Sequence, residues 1–176
     1  SPWYAFKVWS KKKKQVFVKL KYPEFAKHRY SPKISKDGRK WKLLKTSRIT
    51  EEEKGEAGFV GARARPQRIV MRLKVNKKPI WISAQELQTS KHVFAWMDKI
   101  ARKPFVQESE IGKSKEGRPL RMLQIGNPDS KKMMLVISRQ HPPEVTGYLA
   151  MKAFIEKLVD KSRLSKKFRK DWSIYV

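Results

Sequence analysis

A histidine and a glutamate stand three positions apart in this chain, and both carry atoms that bind metal ions. His141 and Glu144 lie in the stretch Ser-Arg-Gln-His-Pro-Pro-Glu, residues 138–144. Zn²⁺ takes neutral imidazole and carboxylate ligands, and two histidines with one glutamate leave a fourth position open for catalysis. The spacing therefore allows two metal ligands. On spacing alone the plainer interpretation is that Glu144 caps the first turn of a helix, where the helix dipole favours a carboxylate, beside an incidental histidine.

The residues on either side of this pair predict a strand followed by a helix. Residues 133–137 form a continuous apolar run, which is typical of a strand buried on both faces of an α/β sheet. A helix is predicted from Glu144 to about Lys161, because one apolar stripe recurs at helical spacing: Tyr148, Met151, Ile155 and Leu158. Ligands bind outside the carboxyl ends of such strands, so we expect both side chains on one exposed side there.

The neighbouring segments predict more of the same α/β layer. Residues 120–125 are predicted to form a strand beside residues 133–137, and a helix is predicted over most of residues 86–101. The pattern of residues 172–176 again indicates a strand. A buried strand with nothing after it leaves a sheet unfinished. We therefore expect an incomplete layer, with surface left open or covered by a partner or by further chain.

The first part of the chain predicts antiparallel β structure. Apolar and polar residues alternate in residues 3–9 and 16–22, which predicts a hairpin with one solvated face. Residues 69–75 alternate in the same way. Residues 51–66 are polar and contain glycines, so they are predicted to form an exposed loop. Several short alternating strands of this kind indicate a small β-sandwich.

The composition excludes some classes of protein and leaves others open. The chain has 43 Lys and Arg against 16 Asp and Glu, a formal charge of +27, which would attract nucleic acid, anionic membrane surfaces or acidic peptides. Because the basic residues are scattered along the whole length, a solubilising surface is the plainer interpretation. The absence of cysteine excludes disulfides, cysteine zinc sites and a thiol nucleophile. No apolar run approaches the roughly 18 residues that span a bilayer.

Several segments together resemble one family of enzymes. Residues 138–158 closely resemble the first zinc-binding segment of the carboxypeptidase A-like zinc carboxypeptidases, especially the cytosolic-carboxypeptidase branch, whose typical form is Arg-x-His-Pro-Gly-Glu. Residues 111–119 are similar to the family's stretch Ile-Gly-x-Ser-x-Glu-Gly-Arg-Pro. The remaining similar segments are residues 123–127, which match the next strand, and residues 3–8, 30–32 and 41, which resemble the β-sandwich before the catalytic domain.

The resemblance implies roles for the residues of the motif. His141 and Glu144 would be the first two zinc ligands. The family's third ligand is a downstream His, its general base a downstream Glu, and a downstream Arg and Asn hold the substrate's terminal carboxylate. None of these lies in this chain, so no catalytic residue is assigned here. Pro143 departs from the family's Gly and is expected to stiffen the corner without removing a ligand.

Other residues with suitable side chains receive structural assignments or stay open. His28 and His92 fall in segments predicted as β-sandwich and helix, and both are assigned to structure. Arg118 leads into a predicted strand and is also assigned to structure. Arg139 lies beside the motif, where it either orients a ligand or binds substrate, or is a plain surface arginine.

These patterns combine into one prediction of fold and domains. The fold class is α+β: an N-terminal antiparallel β-sandwich over residues 1–84, then the incomplete start of an α/β zinc-carboxypeptidase domain over residues 85–176. The chain starts at Ser1 without Met, which favours a processed or shortened terminus and an extracytoplasmic or periplasmic protein after signal removal. The cytoplasm is the alternative.

The leading hypothesis is zinc-assisted hydrolysis of a C-terminal peptide bond, with peptide or protein C-termini as partners. The branch includes enzymes that remove glutamates from acidic tails, and a basic surface would suit them. Two alternatives come from other classes. One is a basic nucleic-acid-binding module, supported by charge and aromatics but lacking a recognisable binding motif. The other is a non-catalytic accessory fragment with an incomplete site.

Overall fold

A computed structural model describes residues 3–23, 25–54 and 66–176, the side chains of residues 53 and 54 excepted. The chain divides into two compact units, Ser1–Leu87 and Gln88–Val176. Each has its own cluster of buried apolar side chains. Within the described ranges, no helix combines the length and apolar character that crossing a membrane requires.

The first unit consists of two antiparallel sheets. One sheet has the strand order β1-β7-β3-β4, and the other has the order β2-β6-β5. The strands are β1 (Ala5–Val8), β2 (Lys14–Lys21), β3 (Lys33–Ser35), β4 (Lys42–Leu43), β5 (Ile49–Lys54), β6 (Pro66–Val75) and β7 (Ile80–Ser83). A single 3₁₀ turn, Thr46–Arg48, leads into β5.

The core of this unit lies between inward-facing residues of both sheets. Ile69, Met71 and Leu73 of β6 are fully buried, as their alternation with charged residues predicts. Ile82 of β7 is fully buried in the same cluster. Apolar residues at period two fill the core from β1 and β2 as well. The antiparallel β-sandwich is therefore confirmed.

The predicted hairpin is wrong, because the two strands that it joins belong to different sheets. β1 pairs with β7 (Ala5 opposite Ser83), whereas β2 pairs with β6 (Lys14 opposite Val75). Between the two strands the chain crosses from one sheet to the other. Alternation specifies which face of a strand is apolar, but it does not specify which strand lies beside it. Strands that follow each other in the sequence therefore need not be neighbours in a sheet.

The loop predicted for residues 51–66 is wrong at both ends. Residues 51–54 belong to β5, and Pro66 begins β6, with which β5 pairs. Glu52 forms an ion pair with Lys19 of β2 (Nζ–Oε2 2.7 Å), on a face of the sheet that carries charged residues. A strand at a sheet edge with a charged outer face has the composition of a loop. Residues 55–65 lie outside the described part of the chain.

The second unit is a four-stranded sheet with three helices. The sheet has the order β10-β11-β9-β8, and only the β10–β11 pair is parallel. The elements are α1 (Ser90–Ala101), β8 (Val106–Lys113), β9 (Pro119–Gly126), β10 (Met133–Leu135), α2 (Val145–Leu158), α3 (Arg163–Asp171) and β11 (Ser173–Tyr175).

The predicted neighbours β9 and β10 are separated by β11, so that prediction is wrong. Ile174 lies opposite Ile125 of β9 on one side and Met134 of β10 on the other, and its side chain is fully buried. The strand expected at residues 172–176 is confirmed as β11. After α2 and α3 the chain inserts β11 between β9 and β10. The apolar runs of β9 and β10 follow each other in the sequence and give no sign that a third strand separates them.

The expectation that residues 133–137 are buried on both faces is wrong within the described chain. Met133 is 67% exposed, Leu135 64% and Ile137 64%, whereas Met134 and Val136 pack against the core. β10 lies at the edge of the sheet and only one of its faces is covered. One apolar face of β10 is therefore exposed in the part of the chain that the structure describes.

Capping residues set the bounds of the helices. Thr89 and His92 form a reciprocal capping box at the start of α1, so the helix predicted over most of residues 86–101 begins at Ser90. α2 ends at Leu158, three residues before the predicted end. Ser162 then caps α3, whose first-turn amide at Ser165 donates to the Ser162 hydroxyl (3.3 Å). α3 is not predicted from the sequence.

His28 makes the stability of the first unit depend on pH. It is only 8% exposed and its Nδ1 lies 2.9 Å from the Tyr22 hydroxyl. Burial lowers the pKa of His28, partly opposed by the charge of Glu51. As pH falls below about 6.5, His28 becomes protonated in the unfolded chain before it does in the folded chain. The free energy of unfolding should therefore fall, by at most about 1.4 kcal/mol per pH unit.

Hydrogen exchange of β6 amides between pH 7.5 and 5 measures this effect in the first unit. We expect His28→Gln to flatten the pH dependence relative to the unsubstituted chain. His92→Gln in the second unit is the matched control and should leave it unchanged. An equally steep pH dependence in the His28 variant would contradict the assignment.

Candidate metal-binding corner

Residues 136–144 form the corner that connects β10 to α2. The Val136 amide donates to the Tyr175 carbonyl (2.8 Å), which continues the pairing with β11 beyond the end of β10. The Glu144 amide donates to the His141 carbonyl (3.1 Å) and closes a turn. α2 begins at the fully buried Val145 and also buries Tyr148. The apolar first turn thus fixes the helix on the core and leaves the corner at the surface.

His141 and Glu144 meet side chain to side chain at this corner. His141 Nδ1 lies 2.6 Å from Glu144 Oε1, and the His141 amide donates to Glu144 Oε2 (3.0 Å). The imidazole and then the backbone amide of His141 hold the pKa of Glu144 below its ordinary value. The two side chains are 73% and 48% exposed. An ionised carboxylate and an imidazole are therefore adjacent and accessible.

The helix-capping alternative for Glu144 does not describe its contacts. Glu144 occupies the N-cap position of α2, but its side chain makes no capping hydrogen bond to the amides of the first turn. Both carboxylate oxygens are instead directed to His141. Its backbone carbonyl accepts from the Tyr148 amide (3.3 Å), as at any helix start.

The side chains of His141 and Glu144 fit part of a zinc site. An imidazole and a carboxylate are two of the three protein ligands in a site of the His₂Glu type. The parts of the chain that the structure describes contain no cluster of three or more His, Cys, Asp or Glu side chains that could hold a metal ion. A third protein ligand would have to come from elsewhere.

The other two histidines have structural contacts. His28 bonds to Tyr22 and its ring lies beside that of Tyr4 (centroids 6.5 Å apart). His92 accepts from the Thr89 amide through Nδ1 (3.2 Å) in the capping box of α1. Both therefore take part in hydrogen bonds that hold local structure.

Arg139 connects the corner to the segment before α1. Its backbone is in the left-handed region (φ 52°), where few residues with a side chain are found. Its guanidinium donates to the Pro142 carbonyl (3.3 and 3.4 Å) and to the Gln88 carbonyl (2.5 Å). These contacts join the turn that carries His141 to the segment before α1. Because its donors face backbone carbonyls, the structure supports positioning of the corner by Arg139.

A shallow cleft of about 450 Å³ opens beside Glu144. Sequence patterns single out most of its lining but not Thr146 and Gly147, because a small and a polar residue at a helix start carry no periodic signal. The lining residues are Ile137, Ser138, Arg139, Gln140, Glu144, Thr146, Gly147 and Met151.

The motif at residues 111–119 forms the turn between β8 and β9. The Ser114 amide donates to the Arg118 carbonyl (2.8 Å), and the Ser114 hydroxyl accepts from the Arg118 amide (3.2 Å). Gly117 has φ 73°, a left-handed conformation that glycine adopts without steric cost. The Arg118 side chain pairs with the exposed Glu116 (2.5 Å). This motif therefore shapes a hairpin.

Removal of the Arg139 guanidinium should loosen the corner. In Arg139→Ala the left-handed backbone stays occupied by an L-residue, but the hydrogen bonds to Pro142 and Gln88 are lost. Hydrogen bonds from a charged donor contribute roughly 1.5–3 kcal/mol, so the amides of Gln140, His141, Glu144 and Val145 should exchange at least about tenfold faster. Arg118→Ala is the control and should leave their exchange unchanged. Unaltered exchange in Arg139→Ala would show that the guanidinium does not hold the corner.

Comparisons with known proteins point to one family. The family model for zinc carboxypeptidases matches residues 93–176. No curated protein matches the chain by sequence. The metallo-carboxypeptidase of Burkholderia cenocepacia superimposes with a TM-score of 0.77 at 17% identity, over 98% of this chain and 45% of that one.

A second solved structure gives the same result. The metallo-carboxypeptidase of Pseudomonas aeruginosa, in complex with (2-guanidinoethylmercapto)succinic acid, has a TM-score of 0.72 at 17% identity, over 98% of this chain and 44% of that one. This chain therefore spans less than half the length of either protein. It has the fold of the N-terminal portion of metallo-carboxypeptidases, and its residues 93–176 carry the sequence pattern of the zinc carboxypeptidase family.

Proposed function

We propose that this chain is the front part of a zinc-dependent carboxypeptidase, with His141 and Glu144 as the first two ligands of one zinc ion. The observation that carries the proposal is the 2.6 Å approach of His141 Nδ1 to Glu144 Oε1 on an exposed corner. That corner lies within the segment that matches the zinc carboxypeptidase family. The two side chains already converge, and a cation bound by both would replace the hydrogen bond between them.

The chain's own residues would hold the metal. Zinc, when bound, supplies a Lewis acid for the scissile carbonyl and a bound water of lowered pKa. Hydrogen bonds from His141 keep Glu144 ionised, which is the form that binds a cation. The Arg139 guanidinium holds the turn between them through Pro142. By resemblance, the third ligand and the general base belong to a downstream segment, so we propose that the 176-residue chain alone is inactive.

The substrates of the longer protein would be the C-termini of peptides or proteins. The family acts on such ends, and its members use a downstream Arg and Asn to hold the terminal carboxylate. A formal charge of +27 would favour the approach of acidic C-termini through long-range attraction. This preference is part of the proposal and depends on the charge alone.

Metal content tests the two ligands directly. A longer chain that includes the family's downstream segment should bind about one zinc per molecule, because it would supply the third ligand. His141→Ala and Glu144→Ala should each abolish stoichiometric zinc. The 176-residue chain, with two ligands, should bind zinc weakly. Elemental analysis after dialysis and the zinc-induced shift in Tm measure these outcomes.

The control for this experiment is His92→Ala, which removes a histidine of the same unit that faces Thr89 instead of Glu144. It should retain the full zinc content even if capping of α1 is weakened. Undiminished zinc in His141→Ala, with the fold intact by circular dichroism, would overturn the assignment of the ligands.

A further inference from the structure

A cleft of about 620 Å³ in the first unit has an apolar floor and a basic rim. It lies where β3 turns into β4. Its apolar lining residues, called the floor here, are Ile34, Trp41, Leu44 and Ile80, and the exposed Leu43 also lines the cleft. The rim carries the cationic side chains of Lys36, Lys40, Lys42, Lys45, Arg48 and Lys74.

These cations have no acidic partner in the part of the chain that the structure describes. Asp37 is the one carboxylate among the lining residues. It accepts hydrogen bonds from the amides of Arg39 (2.9 Å) and Lys40 (2.8 Å) and from the Ser35 hydroxyl (3.0 Å). Its charge is therefore directed into the backbone of the turn, and the cleft keeps a strong excess of positive charge.

Two other lysines of the same unit do have acidic partners. Lys19 pairs with Glu52, and Lys33 pairs with Glu86. The six cations of the cleft instead line one cavity together with apolar side chains. Like charges held together over an apolar floor repel one another, and an anionic ligand would relieve that repulsion.

The edge of β4 adds a second recognition element. β4 pairs only with β3 among the described strands. The Leu44 amide donates to the Pro32 carbonyl (2.7 Å), and Leu43 lies opposite Lys33. Because hydrogen-bonded pairs alternate along an antiparallel ladder, the N–H and C=O of Leu43 point away from β3. The Leu43 side chain is 60% exposed.

A free strand edge distinguishes between the polyanions that the charge could attract. An extended polypeptide can add to such an edge through its own backbone amides and carbonyls. A nucleic acid has no amide backbone and would leave the Leu43 N–H and C=O unused. The combination of free edge, apolar floor and basic rim therefore favours a polypeptide rich in Asp and Glu.

We propose that this cleft binds an acidic segment of a partner polypeptide, which lies extended along the free edge of β4. Its carboxylates face the rim lysines, and its backbone pairs with Leu43. The proposal concerns the first unit alone and does not depend on the zinc site of the second. It therefore stands or falls independently of the proposed carboxypeptidase activity.

Binding of fluorescein-labelled decaglutamate tests the proposal, measured by fluorescence anisotropy at low salt. The variant Lys40→Glu/Lys42→Glu reverses two rim charges. The control Lys115→Glu/Lys161→Glu makes the same change in net charge at two exposed sites of the second unit. The cleft variant should raise the Kd at least about tenfold, and the control should raise it less than about threefold. An equal rise in both variants would overturn the proposal, because binding would then follow total charge.

Pairing along β4 is tested on the ligand, which avoids disturbing the fold. A decaglutamate N-methylated at alternate residues keeps its charges but loses half of its backbone donors. It should bind at least about tenfold more weakly than the unmodified peptide. Equal affinity would contradict strand addition. A ten-nucleotide oligothymidylate that binds more tightly than decaglutamate, and loses binding in the same cleft variant, would reassign the cleft to nucleic acid. Circular dichroism should show that both double variants keep the fold.

Discussion

β11 is the strand on which the second unit depends, because it is the one described neighbour of β10. It runs parallel to β10 and antiparallel to β9, with the buried Ile174 between the two. The Val136 amide extends that pairing towards the corner that carries His141. The positions of His141 and Glu144 are therefore set by a strand that follows them in the sequence. Neither residue would be fixed relative to β9 if β11 were displaced.

β11 is itself held by a buried arginine. The guanidinium of Arg169 donates to the carbonyls of Leu158 and Asp160 and lies 4.0 Å from the Phe105 ring centroid. These contacts supply hydrogen-bond donors to carbonyls at the end of α2 and connect that end to α3, which directly precedes β11. Gly126 completes the arrangement, because an added Cβ would lie 2.5 Å from the Trp172 carbonyl oxygen. The Arg169 guanidinium and the lack of a side chain at Gly126 thus both fix the junction between α3 and β11.

The local features of the site were predictable from the sequence, whereas its long-range supports were not. The pairing of His141 with Glu144 follows from a three-residue spacing at a corner that two prolines shape. The buried face of β6 follows from alternation. The insertion of β11 and the capping role of Arg169 depend on residues far apart in the chain, which periodicity does not relate. Exposure of β10 depends on which strands flank it, and an apolar run alone does not contain that information.

The place of β11 in the sheet has a consequence for the order of folding. β8 and β9 are joined by a short turn, so their contacts are local and require little loop-closure entropy. β10 and β9 lie on either side of a strand that reaches them only after both α2 and α3 have been traversed. Contacts between residues that are so far apart in the sequence form slowly. We therefore expect the β8–β9 hairpin to form before β11 joins the sheet, and the corner that carries His141 to become ordered only after that.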